Sequence, residues 1–168
     1  MSSILKVDQL QDSGGNNLVT SNGSGVITAA AFGKVRQIIQ FSDTTQTGTT
    51  STSYADSPLF IDITPSSTSS KILIHANFPQ YMNTTGAELH TAIFRDSTNL
   101  SSDAQAGFTD CYNGAAPMID MASIIFLDSP STTSQIRYRI KLRRDGSGTG
   151  NLGVNSVMNT MTCTEILP

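Results

Sequence analysis

Tryptophan is absent, cysteine occurs only twice, and Asp, Glu, Lys and Arg together supply 14% of the 168 residues, against about 25% in an ordinary soluble domain. A chain so poor in charge lacks the Glu, Lys and Arg that line the wet sides of helices, which excludes a helical bundle. Its formal net charge of −3 is also far from the high net charge of a disordered chain. With an isoelectric point near 5.1, the basic footprint that neutralises phosphates is missing, so nucleic acid is not an expected partner. Long apolar runs are missing too. The longest, Ile124 to Leu127, is followed by Asp128 and Pro130, well short of the ~18 residues that span a bilayer, so no membrane insertion is expected. Lys6, Asp8, Gln9, Gln11 and Asp12 break up the opening, which lacks the apolar core of a secretory signal. The protein is expected to stay where it is made, with Cys111 and Cys163 reduced.

What the chain has is hydroxyl groups. Ser and Thr make up about a quarter of it, and 38% of residues are hydrophobic, enough for one packed core of ordinary size. Uncharged hydroxyls on the surface and β-branched residues in the interior predict an all-β protein.

Composition divides the chain near Phe32. In residues 1–32, Gly14-Gly15-Asn16-Asn17 and Ser21-Asn22-Gly23-Ser24-Gly25 separate short apolar pieces containing Ile4, Leu5, Val7 and Leu10, then Leu18 and Val19, then Val26 and Ile27. These read as strand fragments joined by tight turns. A segment this short cannot bury enough surface to offset its ordering entropy, since pieces below ~40 residues usually need a metal, disulfides or a partner. Ile4, Leu5, Val7, Leu10, Leu18 and Val26 are therefore its expected attachment or oligomerisation residues. Either the segment inserts into a larger assembly, or identical copies wrap around one another.

Residues 33–168 read as the folded domain. Val35, Ile39 and Phe41 alternate with Arg36, Ile38 and Gln40; the polar tract 44–53 reads as a long exposed loop. Leu59, Ile61 and Ile63, then Ile72, Ile74, Ala76 and Phe78, alternate on either side of a 66–70 turn, which predicts a hairpin-like pair. Leu89, Thr91 and Ile93 mark a further strand, residues 96–99 a turn, and 101–116 a long loop. A strand over 118–127 and one over 135–143 are expected to form an antiparallel hairpin. In the second, Ile136, Tyr138, Ile140 and Leu142 occupy one parity and Arg137, Arg139, Lys141 and Arg143 the other, the pattern of a sheet covered on one side. Residues 157–167 supply a closing strand with alternating Thr160, Thr162 and Thr164. Seven to nine short, regularly spaced strands predict an antiparallel β-sandwich, of which a jelly roll is one form.

Catalytic motifs are scarce. Gly148, Gly150 and Gly153 match the glycine spacing of a dinucleotide fingerprint, but β-prone Val154 to Met158 follows instead of a helix, and the segment reads as a flexible hairpin loop. His75 and His90 lie opposite the apolar parity of their strands, with no HxxH or HExxH spacing; they read as surface or subunit-contact residues, and no metal or cofactor is expected. Asn22, Asn83 and Asn99 begin N-x-Ser/Thr triplets, which a hydroxyl-rich chain produces by chance. A glycan-cleaving enzyme would need paired carboxylates, for which Glu88, Asp103 and Asp110 are the candidates. Two surfaces remain for binding. The basic row Arg137, Arg139, Lys141 and Arg143 either meets an anionic receptor, or is a solvated face or a set of inter-subunit salt bridges. Tyr81, Asn83, Phe108 and Tyr112 lie in or beside the expected loops 79–87 and 101–116, with the composition that stacks on sugars or, equally, packs inward.

The opening Ser3-Ile4-Leu5-Lys6-Val7-Asp8-Gln9-Leu10-Gln11-Asp12 with Gly14, Gly15 and Asn16, the pair Gly33-Lys34, and the stretch Ile63-Thr64-Pro65-Ser66-Ser67-Thr68-Ser69-Ser70-Lys71-Ile72-Leu73 resemble tail-fibre-like virion proteins of marine tailed bacteriophages, particularly those infecting cyanobacteria. The resemblance implies a homotrimeric fibre in the virion, an N-terminal segment docked on other virion proteins, a β-sandwich knob facing a host-surface glycan or protein, and no catalysis. A capsid-attached head fibre, a tail adaptor without receptor contact, and a stand-alone carbohydrate-binding module are the alternatives.

Overall fold

The computed structural model describes residues 9–21, 23, 24, 27–29, 34–103, 105, 107–115 and 117–168. The chain forms two compact units, Met1–Lys34 and Val35–Pro168. In the first, β1 (Gln9–Gln11), β2 (Asn17–Ser21) and β3 (Ile27–Ala29) make a three-stranded antiparallel sheet. The β1–β2 turn is tied by the Asp12 carboxylate, which accepts the Gly14 N–H at 2.8 Å and the Asn16 N–H at 3.0 Å. Leu10 and Leu18 are exposed, whereas Ile4, Leu5, Val7 and Val26 lie outside the described residues.

The second unit is an all-β sandwich of antiparallel sheets. Its strands are β4 (Val35–Asp43), β5 (Thr47–Thr49), β6 (Ala55–Ile63), β7 (Lys71–Met82), β8 (Ala87–Arg95), β9 (Thr98–Asn99), β10 (Thr109–Asn113), β11 (Met118–Asp128), β12 (Ile136–Asp145), β13 (Gly150–Leu152) and β14 (Asn159–Ile166). One sheet runs β10-β8-β12-β6, with β9 beside β8. The other is built around the long β7: β14 pairs with its first half, β13 with its end, and β11 covers its whole length from the opposite edge. The sheet then continues to β4 and β5 beyond β14 and β13.

Alternation decides what lies between the sheets. Leu59, Ile61 and Ile63 of β6, Ile72, Ile74, Ala76 and Phe78 of β7, Ile136, Tyr138, Ile140 and Leu142 of β12, and Met161 and Cys163 of β14 point inward and are buried. Both cysteines are free and buried, and burial pushes the Cys111 and Cys163 thiols up to about 11 and about 12. Two polar clusters brace the fold, the first of them joining the two sheets. Asp128, at the end of β11, accepts the Tyr138 hydroxyl at 2.6 Å and pairs with Arg95 at 2.7 Å. Glu165, fully buried on β14, accepts the Ser66 N–H at 2.7 Å, the Ser66 and Ser70 hydroxyls at 2.6 and 2.7 Å, and the Gln37 amide at 2.6 Å. Burial pushes this carboxyl up, but the four hydrogen bonds outweigh it and hold the pKa at about 2.

Several sequence expectations change. The strands around the 66–70 turn are not a hairpin: β6 pairs with β12, and β7 with β14 and β11. Nor do β11 and β12 pair; residues 129–135 cross from one sheet to the other, with Ser131 at φ 54° in the bend. Parity says which face a side chain takes, not which strand lies beside it. The tract 44–53 contains β5, and Thr49 is buried. Gly48 makes this possible, since a Cβ there would stand 2.7 Å from Asn151 Oδ1. The 101–116 loop contains β10, and the glycine-rich 148–153 stretch contains β13, buried throughout and wedged between β7 and β5. At Gly150 a Cβ would meet Leu89 Cδ1 at 2.6 Å, so glycine is required by close packing. The β-prone 154–158 stretch is a turn, with Asn155 and Ser156 at positive φ.

Candidate interaction surfaces

The sandwich has two outer faces, and β12 organises the first. Its outward side chains are the basic row, and the neighbouring β6 sets Asp56, Phe60 and Asp62 opposite them by register. Arg137 forks onto Asp62 with bonds of 2.6 and 2.7 Å; Arg139 and Lys141 share Asp56, the latter at 2.8 Å. Arg137 and Arg139 also lie over the Phe60 ring, at 4.2 and 4.9 Å from its centre. Asp56 and Asp62 are held below the ordinary carboxylate range, chiefly by the Lys141 and Arg137 hydrogen bonds respectively. Together with Asp96 these groups line an open groove of about 350 Å³ in which three carboxylates face three cations. The basic row thus offers no unbalanced positive stripe; its charge is compensated inside the chain.

Further along β12, Arg143 is buried. It donates to Asp145 at 2.9 and 2.7 Å and to the Gln105 and Thr52 carbonyls at 2.6 and 3.3 Å, drawing two loops over the sheet. Directly across the β8–β12 ladder from Arg143 lies His90, only 5% exposed, which corrects its reading as a surface residue. The register supplies its surroundings: Asp110 of β10 stands directly across from His90, and Glu88 is two residues before it on the same face. Sequence spacing links Glu88 to His90, two apart on an expected strand, but not Asp110, which sits on a strand that reads as loop.

The aromatic candidates do not converge. Tyr112 is exposed on this face, across from Glu88. Tyr81 lies on the other sheet, across from Ile119. Phe108 packs edge-on against Phe126, with ring centres 5.1 Å apart, and so is part of the core margin. Asn83 sits in the β7–β8 turn and accepts the Thr149 N–H at 2.8 Å.

The second outer face carries a feature that sequence reading passed over. Along β11, Ala122, Ile124 and Phe126 turn inward, while Ile119, Met121, Ile125 and Leu127 turn outward and are 53%, 55%, 66% and 46% exposed. Ser123 lies in the middle of this row. Among the described residues β11 pairs only with β7, so the row runs along a free sheet edge. A strand apolar at both parities is the pattern of one covered on both faces, and that signal was available in residues 119–127. The opposite edge strand, β4, exposes Val35 and Ile38.

No protein-family model and no curated protein matches the chain. Solved structures similar to it include that of infectious bursal disease virus Gx strain, at 10% identity, covering 86% of this chain with a TM-score of 0.44, and a mutant VP2 protein of infectious bursal disease virus from derived T=1 particles, at 9% identity, covering 88% with a TM-score of 0.41. The chain spans about two fifths of each of those proteins, 41% and 40% of their lengths. Likeness at this level decides nothing about function.

Proposed function

We propose that this chain is a structural subunit of a phage virion, a trimeric tail fibre whose sandwich is presented to the host surface. The observation that carries the assembly part of this reading is the outward row of Ile119, Met121, Ile125 and Leu127 on a free edge. From Ile119 to Leu127 the row extends about 27 Å, and an exposed apolar patch of this extent fits a protein–protein interface. Half-exposed side chains of this size contribute on the order of 1 kcal/mol each when covered. The phage setting rests on the resemblance of residues 3–16 and 63–73 to tail-fibre-like proteins.

In this reading the chain binds and assembles and does not catalyse. Its mechanism is avidity: three copies present identical weak contacts at fixed spacing, so that the second and third become intramolecular. Residues 1–32 attach the fibre to other virion proteins, and the turns at the sandwich ends meet a glycan or protein of the host. Light scattering on the full-length chain tests the assembly, with an expected mass three times the 17.9 kDa of one chain. Adsorption of the labelled full-length protein to marine cyanobacterial cells tests the attachment. A monomer that binds free glycan would favour the carbohydrate-binding module instead. A trimer that ignores every cell tested would favour a head fibre or adaptor.

A further inference from the structure

We propose that Glu88, His90 and Asp110 hold a divalent first-row transition-metal ion that fastens edge strand β10 to β8. The three residues come from two facing strands: Glu88 and His90 share the outer face of β8, and Asp110 pairs with His90 across the ladder. One ligand atom from each lies within 4.8 Å of the other two. His90 Nε2 stands 3.2 Å from Glu88 Oε2 and 3.3 Å from Asp145 Oδ2, and Nδ1 stands 3.9 Å from Asp110 Oδ1. Metal bonds of about 2.0–2.2 Å put neighbouring ligand atoms roughly 3.0–3.6 Å apart, so small rotations of the half-exposed Glu88 and Asp110 side chains close the set.

The independent observation is His90 itself. Its side chain is 6% exposed, yet neither ring nitrogen makes a hydrogen bond of acceptable direction. Buried imidazoles are normally oriented by such a bond. The ring faces three carboxylates with two nitrogens, neither in hydrogen-bonding direction, and Arg143 donates two bonds to Asp145 alone of the three. Among the described residues, Glu88 and Asp110 therefore have the one imidazole as their shared ion-pair contact, and it is not aimed at either. A metal ion accepts the ring lone pair and both carboxylates, while Asp145, committed to Arg143, flanks the site without binding the ion. One nitrogen with two oxygens suits zinc and its neighbours over magnesium or calcium, which prefer all-oxygen shells.

The test is titration of the full-length chain with ZnCl2 at pH 7.5 by calorimetry and by thermal unfolding, beside MgCl2 and CaCl2. Micromolar Zn2+ binding with a raised Tm is expected, Asp110→Asn and His90→Gln each weakening it at least tenfold. Asp110→Asn alters an exposed group, so its result stands even where His90→Gln perturbs folding. His75, exposed beside Asn77, is the competing surface site, and His75→Ala should leave binding intact. Absence of Zn2+ binding, equal binding of Mg2+, or binding that survives Asp110→Asn and disappears in His75→Ala would each overturn the proposal.

Discussion

On the outer face of the five-stranded sheet, Arg137, Arg139, Lys141 and Arg143 all meet carboxylates of their own chain. On the outer face of the six-stranded sheet, Ile119, Met121, Ile125 and Leu127 of β11 have β7 on one side only and stay about half exposed. Both faces are built from strands of similar length and the same alternation. They differ in whether the outward residues find partners within the fold. The charged face looks like a binding surface in the sequence but is internally complete; the apolar face looks like core and is incomplete. Residue type thus says less about an interaction surface than the balance of partners around it.

The largest effect is expected where the charged face is buried. Arg143→Ala removes the buried guanidinium that holds half-exposed Asp145 and two loop carbonyls, and losing these hydrogen bonds from a charged donor costs about 3 kcal/mol; denaturant unfolding of the full chain measures it. Met121→Asp with Ile125→Asp attacks the other face. Those side chains are exposed in the single chain, so its fold should survive, while charge buried in the interface weakens assembly at least a hundredfold, about 2.7 kcal/mol, read as mass against concentration. If the double substitution unfolds the chain and leaves assembly intact, the two faces have been assigned the wrong way round.

Acid separates the interior from both faces. The folded pKa of Glu165 lies at about 2, below its ordinary 4.5, so its stabilisation is complete above pH 4.5 and is lost as the pH falls through about 2. Glu165→Gln should flatten that limb of the stability curve and cost about 2 kcal/mol at neutral pH. The smallest effect is expected at Arg137, whose side chain is 43% exposed. Arg137→Ala should change stability by less than about 1 kcal/mol, with no change at high salt.

How much of this was legible follows the range of each signal. The inward set of β12, Ile136, Tyr138, Ile140 and Leu142, and its outward cations could be read residue by residue, because alternation is local. The all-β class and the sandwich followed from such strands. Pairing was not legible: the 66–70 and 129–135 segments join strands in different sheets, and nothing in their composition distinguishes a crossover from a hairpin. Three short strands, β5, β10 and β13, were hidden because they are three to five residues long and set among Gly, Asn and Asp, too short to show an alternation until a neighbouring strand comes alongside. The His90 cluster was hidden for the same reason, since Asp110 reaches it only through the β8–β10 register. The β11 row was visible as apolar at both parities, and its meaning emerged only when one side proved uncovered.

The central claim, that the β11 face is covered when copies assemble, is tested most directly by one introduced thiol. Cys111 and Cys163 are buried, with their thiols pushed up to about 11 and about 12, so they are slow towards maleimides. Ser123→Cys places a reactive group in the middle of the row, and Ser134→Cys places one in the exposed bend that precedes β12. In the assembled full-length protein, labelling at position 123 should be at least tenfold slower than at position 134, and the two rates should converge on dilution to single chains. Equal rates at every concentration would contradict the account.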